Sequence, residues 1–304
     1  MVEWRKAISA ILDAPGVVVI LGPVDVGKTT LATALANGAV RAGRRPAIVD
    51  ADTGQSDLGP PTTVGLGMVD RPVRRMIEIP LRSAYFVGDT APRDTHRFVI
   101  DGIVRLIARA QALGASTIVV DTNGWIEGAA AVAAKVREVR AAAPRHVVAI
   151  QRGEEVEPIL ARMSEGVTAH RLCPDARARK RSSRERRAFR EHQFAQYFRD
   201  ARTLTLNLGA VRQERTVVHE GRRIPAARVV AELPARELRH RLVGLADAEG
   251  GLVALGTVLG VRPGGVELDV AAPRRTEGHV RTLQWGMLRV SPAGREEGRA
   301  SGAA

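Results

Sequence analysis

The alternation of apolar and polar positions in the first two-thirds of the chain predicts strands separated by single helices. Short apolar runs, typical of buried strands, occur in GVVVILG, RPAIVDAD, STIVVDTNG and RHVVAIQ. Between these runs, apolar residues recur every three or four positions in KTTLATALANGAVRAG, RFVIDGIVRLIARAQALG and AAAVAAKVREVRAAA, as they do in amphipathic helices. Strands at one-helix intervals predict an α/β fold with a mostly parallel sheet and helices on both faces.

The pattern changes after Ala201. Short apolar runs such as TLTLNLG, GVELDVA and VRTLQWGMLRV are divided by Gly, Pro and acidic turns, which predicts a small, mostly β domain. We therefore predict an α/β domain over residues 1–202 that ends in a helix at about 181–200, a β-rich domain over 203–290, and a polar, disordered tail over 291–304.

An arginine-rich segment, RARKRSSRERRAFREHQFAQYF at 177–198, ends the α/β domain. A helix turns by about 100° per residue, so helical geometry places some of its arginines on the stripe that carries its aromatics. That stripe comprises Arg186, Arg187, Arg190, Phe194, Tyr197 and Phe198. Because the aromatics must face the protein, the arginines also point inward and require anionic partners. We predict a helix whose arginines face an anion, although most basic runs are solvated faces.

Composition narrows the class of that anion. The chain of 304 residues has a formal net charge of +13, and nearly all of its 46 basic residues are arginine. Eleven basic and four acidic residues lie between Arg171 and Arg202, so about half of the net charge is in one segment. Arginine favours bidentate contacts with phosphate. Nucleic acid or another polyphosphate is therefore the expected partner, with a merely soluble basic surface as the alternative.

Other features exclude several classes of protein. No apolar run approaches the roughly 20 residues of a membrane span, so we expect no membrane partner. The N-terminal stretch MVEWRKAISAILDAPG mixes charges into an amphipathic helix and lacks the core of a signal peptide. The single cysteine, Cys173, excludes an internal disulfide and predicts a cytoplasmic location. We expect Cys173 to be a small core residue.

The clearest chemical motif is G-x-x-x-x-G-K-[ST], present as GPVDVGKT at 22–29. It follows a buried-strand pattern and opens a helix, so its glycines can wrap phosphates against the helix N-terminus. Lys28 would reach the β- and γ-phosphates of a nucleotide and Thr29 would hold Mg²⁺. The predicted nucleotide-binding residues of this motif are Gly22, Asp25, Val26, Gly27, Lys28, Thr29 and Thr30.

Acidic residues end two of the predicted strands. IVDADTGQ leaves Asp50, Asp52 and Gln55 at the carboxyl edge of the sheet, where ligands bind in open α/β sheets, and IVVDTNGW leaves Asp121 there. Phosphoryl transfer needs one carboxylate near the metal and one that accepts the acceptor's proton. These two strand ends could supply both carboxylates, although the acid at either strand end could instead cap a turn.

The sequence gives weaker evidence on which nucleotide and which acceptor are bound. Guanine-specific P-loop proteins usually carry an N/T-K-x-D element after a later strand, and its absence from VVAIQRGEE favours ATP. Trp125 lies in a Gly-flanked loop beyond the strand that ends at Asp121. A tryptophan there can stack on a nucleic-acid base, or it can fill a core.

In this order, the motifs resemble those of the polynucleotide 5′-hydroxyl kinases of the mRNA-cleavage-factor and rRNA-processing type. The resemblance covers about residues 16–200 and rests on GPVDVGKTTLATALANGAVRAGRRPAIVDADTGQ, FVGDTAPRD, VVDTNGWIEG and RSSRERRAFREHQFAQYF. Residues 203–290 resemble the small C-terminal β domain of that family more weakly. The resemblance implies a P-loop NTPase-type fold and phosphorylation of the 5′-OH of RNA, and sometimes of DNA, with ATP and Mg²⁺.

The resemblance also implies roles for individual residues. Asp52 is similar to the base that receives the 5′-OH proton, and Gln55 lies near the metal and the acceptor end. The other implied roles are metal binding by Thr29, Asp52 and Asp121, substrate binding by Thr90 and Trp125, and closure over ATP by Arg181, Arg186 and Arg190. Two alternatives stay open: an ATP-binding assembly subunit without turnover, and a small-molecule kinase. The complete set of lid arginines and acids favours catalysis on a polynucleotide.

Overall fold

The computed structural model describes residues 2–175, 179, 181–276 and 278–299. By their contacts, the residues form two units. The first comprises Met1–Gly59, Thr63–Ala84 and Ala91–Ser182, and the second comprises Pro60–Thr62, Tyr85–Thr90 and Ser183–Ala304. The main division therefore precedes the arginine-rich helix, whereas the sequence placed that helix in the first domain.

The first unit is built on a seven-stranded sheet in the order β4-β3-β2-β5-β1-β6-β7. Its strands are β1 (Val17–Leu21), β2 (Pro46–Ala51), β3 (Thr63–Met68), β4 (Ser83–Phe86), β5 (Thr117–Thr122), β6 (His146–Ile150) and β7 (Thr168–Leu172). The five strands from β2 to β7 in this order are parallel, and β3 is antiparallel to β2. The predicted mostly parallel sheet is confirmed.

Helices cover this sheet. They are α1 (Val2–Asp13), α2 (Lys28–Arg41), α3 (Pro92–Ala112), α4 (Ala129–Ala142) and α5 (Glu157–Leu160). Helices α1 and α2 pack together over a buried apolar cluster that includes Ile20, Ile48 and Val119, while α3 and α4 pack against each other. No helix in the described part of the chain is long and apolar enough to cross a membrane.

Strands β3 and β4 lie where the sequence pattern predicted none. Strand β3 reads TVGLGM, and its glycines interrupt the apolar alternation that identifies a strand. A Cβ atom at Gly65 would lie 1.8 Å from the carbonyl oxygen of Leu58, so the close approach of the Leu58 loop requires glycine there.

Cys173 follows edge strand β7 and is exposed, so the prediction that it is a core residue is wrong. The chain leaves the sheet at this point. The Cys173 carbonyl accepts a hydrogen bond of 2.9 Å from Nε1 of Trp4 in α1, and its side chain is on the surface.

The second unit is β-rich, as predicted. In chain order it contains α6 (Ser183–Tyr197), β8 (Ala201–Asn207), β9 (Arg212–Glu214), β10 (Val217–His219), β11 (Arg222–Ile224), α7 (Val229–Glu232), α8 (Ala235–Leu238), β12 (Arg241–Ala246), β13 (Leu252–Val261), β14 (Glu267–Pro273), β15 (Thr282–Val290) and β16 (Glu296–Arg299). The sheet order is β16-β15-β12-β13-β14-β8, with β9 paired to β15. Strand β16 falls within the tail that the sequence predicted to be disordered.

The aromatic stripe of α6 joins this unit's core. Phe194 and Phe198 are buried in a cluster with Phe86, Leu255 and other apolar side chains of the second unit. The Tyr197 hydroxyl accepts a hydrogen bond of 2.8 Å from the Leu255 backbone N–H, and burial raises the pKa of Tyr197 to about 12. The predicted inward orientation of the aromatics is confirmed, and it explains why α6 groups with the second unit.

Candidate active site

The loop at 22–27 connects β1 to α2, and we call it the phosphate-binding loop. Its backbone depends on glycine: φ is +155° at Gly22, where a Cβ atom would lie 2.4 Å from the Ile150 carbonyl oxygen, and +96° at Gly27. Asp25 also has a positive φ, of 59°. Val26 is fully buried and fixes the loop to the apolar core. The loop is thus a rigid turn that leads into the N-terminus of α2.

Lys28 and Thr29 open α2 at the end of this loop. The Lys28 ammonium is buried and donates a hydrogen bond of 2.7 Å to the Pro23 carbonyl, so it lies folded across the loop. Burial lowers the pKa of Lys28, while Asp121 and Asp52 act in the opposite direction. The Thr29 hydroxyl donates a hydrogen bond of 2.6 Å to Oδ2 of Asp121 at the end of β5.

The carboxylate of Asp121 is only half satisfied. Its Oδ2 accepts from Thr29, whereas its buried Oδ1 has no hydrogen-bond partner among the described residues. Burial raises the pKa of Asp121 to about 6, although the positive charge of Lys28 and the hydrogen bond from Thr29 lower it. A buried carboxylate oxygen without a donor is an available ligand for a cation or an ordered water.

The two acids that end β2 and begin the next loop have different surroundings. The Asp50 carboxylate accepts hydrogen bonds from the backbone N–H groups of Asp52, Asp57 and Leu58 and from the Ser56 hydroxyl. Asp50 therefore organises the loop from 52 to 58, and burial raises its pKa well above the usual range.

Asp52 keeps one oxygen available. Its Oδ1 accepts from the backbone N–H groups of Gly54 and Gln55, at 3.1 Å and 3.0 Å. Its Oδ2 makes no hydrogen bond with any residue that the structure describes. The register of the sheet places Asp50 beside Asp121, so Asp52 follows at the same sheet edge.

Arg181 connects this loop to the phosphate-binding loop. Its backbone N–H donates a hydrogen bond of 2.9 Å to Oδ2 of Asp25, and its guanidinium contacts Oε1 of Gln55 at 3.4 Å. The structure thus brings together three predicted residues that are far apart in sequence. Residues 177, 178 and 180 of the predicted lid segment lie outside the described residues.

Trp125 lies in the turn between β5 and α4 and is partly exposed. Its backbone N–H donates a hydrogen bond of 3.1 Å to Oδ1 of Asn123. The turn passes against the phosphate-binding loop, because a Cβ atom at Gly124 would lie 2.5 Å from the backbone nitrogen of Val24. Asn123 was not a predicted site residue, although it is buried in this turn.

Thr90 belongs to the second unit. It ends residues 85–90, which we call the clasp loop. The buried Asp89 carboxylate accepts a hydrogen bond of 2.6 Å from the Thr90 backbone N–H and forms an ion pair with Arg299 of β16. The Gly88 carbonyl accepts from the backbone N–H groups of Met287 and Leu288. The clasp loop is therefore tied to the C-terminal sheet.

The α6 arginines also belong to the second unit. Arg190 forms a bidentate ion pair with Glu296 of β16, with an Nη2–Oε2 distance of 2.8 Å, and its side chain is only 17% exposed. The Arg187 side chain is 56% exposed, so its predicted burial is wrong: its guanidinium pairs with Glu191, one turn along α6, and also donates a hydrogen bond to the Glu296 carbonyl. Arg186 is half-buried. The anion that faces Arg190 here is a carboxylate of the chain itself.

Known proteins match this chain along most of its length. Residues 22–200 match the family model described as mRNA cleavage and polyadenylation factor CLP1 P-loop. The chain is similar to a polyribonucleotide 5′-hydroxyl-kinase of Pyrococcus furiosus, with 29% identity over 94% of this chain and 91% of that protein. A second such kinase, of Methanocaldococcus jannaschii, is 32% identical over 72% of this chain and 61% of its own length.

A solved structure of Clp1p with Pcf11p has the same fold. The structural alignment covers 94% of this chain and 78% of the Clp1p chain, with a TM-score of 0.71 and 11% sequence identity. The family-model match includes the phosphate-binding loop, both acidic strand ends and α6. The chain belongs to the P-loop family of the mRNA cleavage and polyadenylation factor CLP1.

Proposed function

We propose that this chain is an RNA 5′-hydroxyl kinase, which transfers the γ-phosphoryl group of ATP to the 5′-OH of an RNA end. The observation that carries the proposal is that a phosphate-binding loop and a free carboxylate oxygen, Oδ2 of Asp52, share one edge of the sheet. The similar archaeal proteins are named polyribonucleotide 5′-hydroxyl-kinases, which supports RNA as the acceptor.

ATP would bind on the phosphate-binding loop and the start of α2. Lys28 would exchange its hydrogen bond to the Pro23 carbonyl for the β- and γ-phosphoryl oxygens. Arg181 already contacts Asp25 and Gln55 and would orient the γ-phosphoryl group. The nucleotide-binding set is Gly22, Asp25, Val26, Gly27, Lys28, Thr29, Thr30 and Arg181.

The residues present fit Mg²⁺. No group of three or more His, Cys, Asp or Glu residues that could hold a metal occurs in the described part of the chain. Mg²⁺, however, is commonly bound by one or two carboxylates together with substrate phosphates. Thr29, Asp121 with its unpaired Oδ1, and Asp52 would hold it. Bound Mg²⁺ neutralises charge that develops on the phosphoryl oxygens.

In the transfer step, Oδ2 of Asp52 takes the proton of the 5′-hydroxyl. The deprotonated oxygen forms a bond to the γ-phosphorus, the bond from that phosphorus to the bridging β–γ oxygen breaks, and ADP leaves. Gln55 would orient the acceptor end, while Thr90 and Trp125 would hold the terminal nucleotides. Arg186 and Arg190 would close over the transferring group, which requires that Arg190 release Glu296.

The test is transfer of labelled γ-phosphate from ATP to matched RNA and DNA oligonucleotides with 5′-OH ends. Asp52→Asn should lower kcat by about 10²–10⁴-fold, the usual contribution of a general base, and leave ATP binding largely intact. Lys28→Ala should lose ATP affinity as well. The matched control is Asp70→Asn, because Asp70 is exposed and its side chain makes no hydrogen bond or ion pair with the described residues.

Full activity of Asp52→Asn would refute the assignment of the base. Absence of label with the wild-type chain, despite tight binding of ATP and RNA, would instead identify an ATP-binding assembly subunit without turnover. Label on the DNA oligonucleotide at the same rate would extend the acceptor class beyond RNA.

We also propose a cytoplasmic location, because a chain whose single cysteine is Cys173 forms no internal disulfide and needs no oxidising compartment. Fractionation of the source cells measures it directly.

A further inference from the structure

Asn123 occupies a position between the phosphate-binding loop and Asp52. In the parallel register, Asp121 of β5 lies beside Ile20 of β1, and Thr122 lies beside Ala51 of β2. One residue further, Asn123 is level with the first residue of the phosphate-binding loop on one side and with Asp52 on the other. Its backbone therefore lies at the centre of the carboxyl edge of the sheet.

The side chain of Asn123 is held in one orientation. Its Oδ1 accepts the backbone N–H of Trp125 at 3.1 Å. A rotation of the amide by 180° would bring its NH₂ group against that N–H, so the hydrogen bond assigns which end is nitrogen. Asn123 directly follows β5, two positions after Asp121, whose carboxylate contacts Thr29.

The donor end of this amide is unused. Asn123 is 6% exposed, and its buried Nδ2 has no hydrogen-bond partner among the residues that the structure describes. Buried amide groups normally donate, and an unsatisfied one in a folded protein indicates strain, a missing water or a ligand. Asn123 lies at the carboxyl edge of the sheet, where the phosphoryl oxygens of a nucleotide are expected to bind, and those oxygens are strong acceptors.

We propose that Nδ2 of Asn123 donates a hydrogen bond to an oxygen of the γ-phosphoryl group as that group moves from ATP to the acceptor at Asp52. This inference rests on the proposed kinase function. Asn123 neither gains nor loses a proton in the step. Its donor is fixed before the reaction by the turn to Trp125, so no reorganisation is needed when charge develops.

Two substitutions separate this role from a structural one. In Asn123→Ser, the short hydroxyl can still accept the Trp125 N–H, as serine does in comparable turns, but it cannot reach the phosphoryl group. Asn123→Ala loses both functions. Removal of one preorganised donor typically lowers kcat by about 10²–10³-fold. We therefore expect a loss of about 10²-fold in both variants, with thermal stability retained in Asn123→Ser.

A binding measurement provides a readout that does not depend on turnover. ADP with aluminium fluoride mimics the transferring phosphoryl group, whereas ADP alone lacks it. Calorimetry should give unchanged ADP affinity in Asn123→Ser and a loss of about 10²-fold for ADP–aluminium fluoride. Wild-type kcat and aluminium-fluoride affinity in Asn123→Ser would overturn the proposal and leave Asn123 as a turn residue.

The wild-type chain allows a direct test as well. It contains three asparagines, Asn37, Asn123 and Asn207, so ¹⁵N-asparagine labelling yields few side-chain amide signals. Addition of ADP–aluminium fluoride should shift the Asn123 signal and leave the other two, which serve as internal controls. An unshifted Asn123 signal in a protein that labels RNA refutes this inference alone. A wild-type chain that neither labels RNA nor binds ADP–aluminium fluoride refutes the kinase proposal together with it.

Discussion

The ion pair between Arg190 and Glu296 allows two roles of Arg190 to be tested separately: anchoring of α6 and catalysis. Loss of one partner from a buried pair costs about 3–5 kcal/mol, whereas an exposed pair contributes about 0–1 kcal/mol. Side-chain exposures of 17% for Arg190 and 8% for Glu296 make this pair nearly buried. We therefore expect Glu296→Gln to lower the free energy of unfolding by about 2–4 kcal/mol, because the Arg190 charge stays in place without a counter-ion.

A double-mutant cycle measures the pair itself. Arg190→Ala, Glu296→Gln and the double variant are unfolded in urea and followed by circular dichroism, and we expect a coupling energy of about 1–3 kcal/mol. The matched control is Glu249→Gln, since Glu249 is exposed and its side chain makes no hydrogen bond or ion pair with the described residues. Kinase assays on the same proteins should show a large loss for Arg190→Ala and a small one for Glu296→Gln, which keeps the guanidinium.

A coupling energy below about 0.5 kcal/mol would refute the reasoning about the ion pair, since independent sites are additive within that range. Equal losses of activity in the two single variants would show that Arg190 acts only through the position of α6.

Three further predictions concern the metal, the clasp loop and the phosphate-binding loop. Because burial raises the pKa of Asp121 to about 6, its carboxylate is ionised above that pH and protonated below it. The affinity for Mg²⁺·ADP, measured by calorimetry, should therefore fall about tenfold per pH unit below about 6. In Asp121→Asn, this affinity should not change over the same pH range. Arg299→Ala removes the ion pair from the buried Asp89 carboxylate of the clasp loop, so the KM for RNA should rise by about tenfold with no change in the KM for ATP. Exposed Arg295→Ala is the control, and an equal rise in both constants would contradict this prediction. Gly124→Ala adds a Cβ atom 2.5 Å from the backbone of the phosphate-binding loop and should weaken ATP binding by about tenfold or more, whereas Gly153→Ala, which meets only ordinary contacts, should not.

Four strands of the first unit's sheet, β1, β2, β5 and β6, were predictable because they are buried on both faces. A run such as VVVIL is then apolar throughout, and the helices between such runs keep their own period. Strand β3 lacks this signal, since the space beside Leu58 requires glycine at position 65. Sequence patterns detect apolar periodicity, and they fail where close backbone packing replaces side chains.

The sequence predicted that α6 is a helix with a buried aromatic face, but it did not predict that α6 packs with the second unit. The aromatic stripe indicates a buried face, but nothing in the stripe specifies that Phe194 and Phe198 pack with Leu255 and Leu288 of the C-terminal sheet. Similarly, Glu296 lies more than a hundred residues from Arg190 in sequence, in a polar stretch that appeared disordered. Partners at such separations are determined by tertiary structure.

Within the site, a motif identifies residues whose chemistry is tied to a local backbone, as for Lys28 and Thr29. It does not distinguish Asp50 from Asp52, which are both acids at one strand end. The difference is the set of donors around each carboxylate: all of the Asp50 acceptor sites serve the following loop, while Asp52 keeps Oδ2 free. The same reasoning identifies Asn123, whose unused donor is a property of its burial and not of its neighbours in sequence. Hydrogen-bond satisfaction therefore provides, for this chain, the information on catalytic roles that the linear motif lacks.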